Sequence, residues 1–228
     1  MLEELRQHVC QANLDLVRAG LVTLTFGNVS GIDRDRGLVV IKPSGVPYEE
    51  LDPERMVVVD MDGRAVEGLE RPSSDTATHV VLYRTFLGVR GIAHTHSPYA
   101  TMFAQARREI SCLGTTHADH FRGAVPVTRV LTEDEVATDY EGNTGRVIAE
   151  RLAALDPIAM PAVLVAGHGP FTWGPTAAAS VRNAIALEAV AKMAIGTRLL
   201  DPRAPDLEPY VLEKHYQRKH GPAAYYGQ

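Results

Sequence analysis

Residues 91–100 read GIAHTHSPYA. The short apolar entry predicts a strand over GIAHTHS, and Pro98 predicts a helix opening over PYATMFAQAR. Alternate side chains of a strand share a face, so His94 and His96 are expected to point the same way, roughly 6–7 Å apart at Cα. Two imidazoles so placed can share one metal ion at about 2.0–2.1 Å from each nitrogen. A pair of this kind in a chain with nine histidines is by itself equally an ordinary polar pair. What adds to it is His168, at the end of the apolar run PAVLVAG and flanked by Gly167 and Gly169. Three histidines with an open position make the ligand set of a catalytic rather than a structural zinc. Asp75 is a candidate fourth ligand.

Upstream, residues 3–19 carry apolar positions at helical spacing, with Gly20 as a stop. LVTLTFGNVSGID predicts a strand breaking into a Gly-rich loop. GLVVIKPSG predicts a strand and a Pro-Ser-Gly turn, and MVVVDMDGRAVEG a hairpin turning at Asp62-Gly63. RPSSDTATHVVLYRTF reads as a loop entering a helix, with Ser73 or Ser74 as its cap. AVPVTRVL predicts another strand, and about 144–155 a helix. PAVLVAGHGPFTWG predicts an apolar strand ending in a Gly-flanked loop. A long Ala-rich helix follows from Pro175, then Pro202, Pro205 and Pro209 lead into a short polar helix. Strands and helices mix without a strict βαβ rhythm and without repeats. The expected fold is a single α/β domain with a mostly antiparallel central sheet flanked by helices.

The 228 residues, 45% hydrophobic and 22% charged, suit one substantial core. A net charge of -5 speaks against a nucleic-acid partner. No basic-then-apolar leader and no membrane-length apolar run is seen, so neither secretion nor a membrane is expected. Cys10 and Cys112 match no zinc or redox spacing, which fits a reduced, cytoplasmic setting. Three segments ahead of the H-x-H strand are candidate oxyanion cradles: GNVSG with Gly27 and Asn28, KPSG with Lys42, Ser44 and Gly45, and SSD with Ser73 and Ser74 before a helix start. Each alone is also an ordinary turn or cap; their concentration within about 50 residues is what favours a phosphate.

GNVSGID, IKPSGV, PSSDTATH, GIAHTHSPYAT, GTTHADHF, GHGPFTWG and KHYQRKHGPAAYYGQ, taken in order over the whole length, resemble the class II aldolase/epimerase superfamily and, within it, its pentulose-phosphate epimerase branch. The resemblance implies a homotetramer with sites between subunits and one divalent ion per subunit, most often zinc, with manganese as the alternative, on His94, His96 and His168. It implies an isomerase of sugar catabolism, in the arabinose pathway or a similar one, interconverting L-ribulose 5-phosphate and D-xylulose 5-phosphate. Asp75 stands where the related fuculose- and rhamnulose-phosphate aldolases carry a catalytic glutamate, and a shorter carboxylate suits ligating or orienting the metal. The acid/base pair maps to Asp119 and Tyr226. Phosphate binding maps to Asn28, Lys42, Ser44, Gly45, Ser73 and Ser74. Thr115, His215 and Arg218 map to positions that approach from a neighbouring subunit, as does the tail from about 209 to 228. Departures fall at Phe26, His120, Ala166 and Gly167, which bear on pocket shape.

The chemistry explains this set. The C4 proton of a 2-ketopentose phosphate is not acidic, so inversion there requires breaking and remaking C3–C4. A Lewis acid stabilises the charge that develops. A phosphate cradle retains the two-carbon fragment while it turns over. Two proton-transfer groups on opposite faces serve the two epimers. A free tyrosine titrates near 10, so Tyr226 serves most easily as a donor. Two readings compete: an aldolase that releases its aldehyde, acting on a ketose 1-phosphate such as L-fuculose 1-phosphate, and a metal-binding protein without turnover.

Overall fold

The computed structural model describes residues 2–226. A seven-stranded, wholly antiparallel sheet runs in the order β4-β3-β2-β1-β5-β7-β6. Its strands are β1 (Asn28–Asp33), β2 (Leu38–Ile41), β3 (Val57–Asp60), β4 (Ala65–Glu67), β5 (Gly91–His94), β6 (Ala162–Leu164) and β7 (Pro170–Gly174). The helices are α1 (Glu3–Arg18), α2 (Thr76–Thr85), α3 (Pro98–Gln105), α4 (Thr115–Ala118), α5 (Glu133–Leu152), α6 (Ala177–Leu200) and α7 (Pro209–His220).

The sheet is covered on both faces, and the period of two is visible in its cores. Val39, Val57, Val59 and Ile92 pack with Leu82, Tyr83, Ile148 and Trp173 on one side. Val40, Val58 and Ala93 pack with Val9, Leu16 and Val181 on the other. That is why VVVD and LVVI are continuous apolar runs rather than alternating ones. Among the described residues, no helix is long and apolar enough to cross a membrane. Both cysteines are buried free thiols.

The fold class and most elements match the sequence reading; six local expectations are corrected. Residues 21–27 are irregular, and the strand is the following NVSGID, so Asn28 sits on a strand and not in a Gly-rich loop. The reason is Asn13: its buried amide donates to Val29 O and accepts from Val29 N, tying α1 to the first residues of β1. AVPVTRVL forms only single bridges, Ile110 to Val125 and Val127 to Leu164; Pro126 between them has no N–H to give to a ladder. FTWG is a strand of its own, β7, pairing back on β6. Neither Ser73 nor Ser74 caps α2: Asp75 occupies the cap position, without a side-chain bond to the helix. In addition, β5 stops at His94, so His96 lies just beyond the strand.

Helix α5 starts eleven residues earlier than expected, at Glu133. A Thr132–Glu135 capping box opens it, and it breaks at Asp139, whose φ and ψ are -160° and 72°. Asp139 accepts from the Gly142 amide at 3.2 Å. A Cβ on Gly142 would lie 2.0 Å from that carboxylate, so a larger residue there would have to displace the Asp139 side chain. The break turns Tyr140 and Glu141 toward the strand ends, where the site lies.

Candidate metal and phosphate site

Sheet register sets the site. In the ladder, His94 is flanked by Asn28 of β1 on one side and Phe171 of β7 on the other. The Phe171 ring stacks on the His94 imidazole at 4.2 Å and 19°. His94 Nδ1 donates to Pro170 O at 2.9 Å, which fixes the tautomer and leaves Nε2 as the open donor atom. His96 leaves the strand end with its Nε2 3.1 Å from that of His94. His168 comes from the β6–β7 connection, held by its own amide to Val165 O at 3.0 Å. One ring nitrogen from each of the three histidines lies within 4.8 Å of the other two.

Two Nε2 atoms facing each other at 3.1 Å cannot both accept, and two nitrogens about 2.0–2.1 Å from one ion are separated by a similar span. Burial and the neighbouring imidazoles push His168 down to about 4, and partial desolvation followed by His94 lowers His96. Both are therefore neutral at neutral pH, the form in which imidazole binds metal. The donor set thus fits a divalent ion.

Asp75 stands beside the triad, with Oδ2 accepting from Asn28 Nδ2 at 2.7 Å. Burial pushes its carboxyl up, but His94, His79 and the Asn28 bond outweigh this and hold it below the usual carboxylate range. It is not among the three mutually close donors.

The same pocket, about 390 Å³, gathers every cradle residue expected from sequence: Gly27, Asn28, Lys42, Ser44, Gly45, Ser73 and Ser74. Gly27 has φ +110°, and a Cβ there would meet His94 O at 2.9 Å, so the chain passes against the metal strand only as glycine. The KPSG turn is strapped to residues 71–73: Ser44 N donates to Arg71 O and Ser73 N to Lys42 O. Lys42 differs from expectation in its partners. It is buried, its ammonium donates to Val46 O at 2.9 Å and Pro43 O at 3.3 Å, and desolvation lowers it to about 8.

The remaining expected residues form a second cluster elsewhere. Asp119, at the end of α4, accepts from Arg218 Nη2 at 2.9 Å and Nε at 3.1 Å. His215 Nδ1 lies 3.1 Å from the same carboxylate. Burial raises the Asp119 carboxyl, yet the Arg218 and His215 bonds outweigh it and hold it low. The Arg218 guanidinium lies over the Tyr226 ring at 4.0 Å. Thr115 begins the helical turn that ends in Asp119. None of these five lines the histidine pocket. Gly227 and Gln228 of the tail lie outside the described residues.

Sequence reasoning missed Thr25, Tyr140 and Glu141, which also line the pocket. Tyr140 OH lies 3.5 Å from His168 Nδ1. The usable signal was Asp139-Tyr140-Glu141-Gly142: an Asx cap and a glycine inside a helical pattern mark a restart.

An antiparallel sheet with three converging histidines and polar glycine- and serine-rich segments at its strand ends defines a class, and the chain belongs to it: the family model of the class II aldolase and adducin N-terminal domain matches residues 7–195. Among curated relatives, proteins named L-ribulose-5-phosphate 4-epimerase UlaF from Salmonella paratyphi C and Salmonella typhi are each 55% identical over 227 residues, covering all of both chains. Among solved structures, an L-fuculose 1-phosphate aldolase superposes with a TM-score of 0.77 at 26% identity, covering 94% of this chain and 95% of that one. The L-fuculose-1-phosphate aldolase of Thermus thermophilus gives 0.69 at 25% identity, over 89% and 99%.

Proposed function

We infer that this chain is an isomerase that interconverts L-ribulose 5-phosphate and D-xylulose 5-phosphate by breaking and re-forming C3–C4. The observation that carries the reading is the joint lining of one pocket by a histidine triad and three polar segments rich in amides and hydroxyls, on a chain 55% identical end to end to proteins bearing that activity in their names. His94, His96 and His168 would hold one divalent ion, zinc or manganese, which when bound supplies Lewis-acid polarisation of the ketose oxygens. Asn28 orients Asp75 beside that triad, and Asp75 in turn favours a cation there. Ser44, Gly45 and Ser74, exposed at the pocket mouth, together with Ser73 and Asn28, receive the phosphate. Lys42 supports them from behind by bracing the KPSG turn, and its positive charge favours the dianion.

Proton transfer at the C4 oxygen falls to Asp119 and Tyr226. These side chains belong to the α4–α7 cluster, apart from the pocket of their own chain, so we assign them to the site of a neighbouring copy in a homo-oligomer, with Thr115, His215 and Arg218 as their companions. The family's tetramer, with the tail from about 209 onward crossing to a neighbour, is the arrangement this requires.

The test is a coupled assay. The metal-loaded protein is given L-ribulose 5-phosphate, and D-xylulose 5-phosphate is followed before and after chelation. Conversion that is lost with chelator and restored by zinc or manganese supports the reading. A second reading, an aldolase that releases its aldehyde, draws on the superposition with L-fuculose 1-phosphate aldolase. It predicts free aldehyde and no xylulose phosphate.

A further inference from the structure

One lip of the histidine pocket is a strained turn. Leu24 has φ +54°, a left-handed conformation that branched side chains seldom adopt. The Phe26 amide closes the turn on Thr23 O at 3.1 Å, and the Tyr48 hydroxyl holds the next carbonyl, Gly27 O, at 2.8 Å. What this construction presents is the Phe26 ring. It is 49% exposed and lies 5.9 Å from the His96 ring, tilted by 34°. Packing within the chain does not account for it, since half of this large apolar side chain stays open on the pocket side. The walls around it are polar, with Asn28, Ser73, Ser74 and Asp75 among them. Among the described residues of that lining, Phe26 is the one aromatic side chain that cannot hydrogen-bond.

The proposed epimerisation, on which this inference rests, sets a requirement that such a ring meets. In the cleavage step the C4 hydroxyl gives up its proton and C4 becomes an aldehyde carbonyl. The electron pair of the C3–C4 bond stays on the three-carbon fragment as its enolate. The two-carbon phosphate must then offer its other face to that carbon before the bond re-forms and the C4 oxygen regains a proton. The phosphate end is anchored, whereas the aldehyde end has to turn. A polar wall would fix the aldehyde oxygen in one orientation and admit water; a phenyl ring does neither.

We propose that Phe26 is the wall that confines the aldehyde fragment during its half-turn, and so sets the balance between epimerisation and release. It acts on the partition of the intermediate and not on metal binding. The test compares wild-type protein with Phe26→Ala, Phe26→Leu and Phe26→Trp in metal-loaded form. Epimerised product is measured alongside free glycolaldehyde phosphate captured as its hydrazone, with dihydroxyacetone as the matching co-product. Wild-type protein is expected to release almost no aldehyde. Phe26→Ala is expected to raise aldehyde released per product formed by at least about tenfold, with metal content unchanged. Phe26→Trp is expected to keep the wild-type ratio, and Phe26→Leu, the variant least able to disturb folding, to fall between. A ratio unchanged in both Phe26→Ala and Phe26→Leu, whatever their turnover, would give the ring a merely structural role and overturn the inference. Failure of the wild-type protein to epimerise at all would instead overturn the reaction proposed above, so the two failures are distinct.

Discussion

The histidine pocket and the α4–α7 cluster are built in opposite ways. In the pocket, the sheet does the positioning: ladder register sets Asn28 against His94, and Phe171 backs the imidazole from the other strand. Its lining combines three imidazoles with the Lys42 ammonium and the Asp75 and Glu141 carboxylates. In the cluster, a single carboxylate is gripped by two cationic-type side chains of a late helix, Arg218 and His215, and the tail folds back so that Tyr226 lies under Arg218. On the proposed function, the first region is a container that needs acid/base groups, and the second is a set of acid/base groups offered to the container of a neighbouring copy. Within one chain the two regions stay apart, and the proposed site joins them only between copies.

Substitutions should separate the halves. His96→Asn is expected to reduce turnover to background and to weaken metal affinity by more than about 100-fold, read by metal titration alongside the coupled assay. Tyr226→Phe and Asp119→Asn are expected to lower kcat by about 10²–10⁴-fold while metal content stays at the wild-type level. If either of these lost metal, the two regions would not be chemically separate. Gly27→Ala forces a Cβ onto His94 O and a strained φ, at about 1–3 kcal/mol; a lowered Tm together with weakened metal binding would place the close approach inside the first half.

Acid should act on the second half. Asp119 is held below the ordinary carboxylate value, near 4, by its Arg218 and His215 bonds. Its contribution to docking α7 is therefore present above about pH 4 and lost as pH falls through the lower, folded-state value. Limited proteolysis across that range should free the α7 segment before the sheet unfolds, and Arg218→Gln should free it already at neutral pH. The smallest effect is expected at a site in neither half. Thr132→Ala removes the α5 capping box and costs about 1 kcal/mol, seen in thermal unfolding with activity unchanged.

Much of the first half was legible in sequence because its signals are local. Spacing marked His94 and His96, flanking glycines marked His168, and turn chemistry marked Ser44, Gly45, Ser73 and Ser74. Lys42 was located, but its commitment to Val46 O depends on how the KPSG turn curls, which no pattern of residues states. Tyr140 and Glu141 escaped because a helix break at Asp139 brings them in. The start of β1 was misplaced since the apolar run LVTLTF outweighs NVSGID locally, while the deciding bonds come from Asn13, 16 residues away. Asp119, Arg218 and Tyr226 had no spacing signal; only resemblance located them.

In the proposed assembly, one working site takes its histidine pocket from one copy and its Asp119–Tyr226 set from another. The most direct measurement mixes two inactive proteins, His96→Asn and Tyr226→Phe, under conditions that let subunits exchange. Epimerisation is expected to recover, with about one site in four intact by random pairing. A mixture that exchanges subunits yet stays inactive would contradict it, and would return both halves to a single chain.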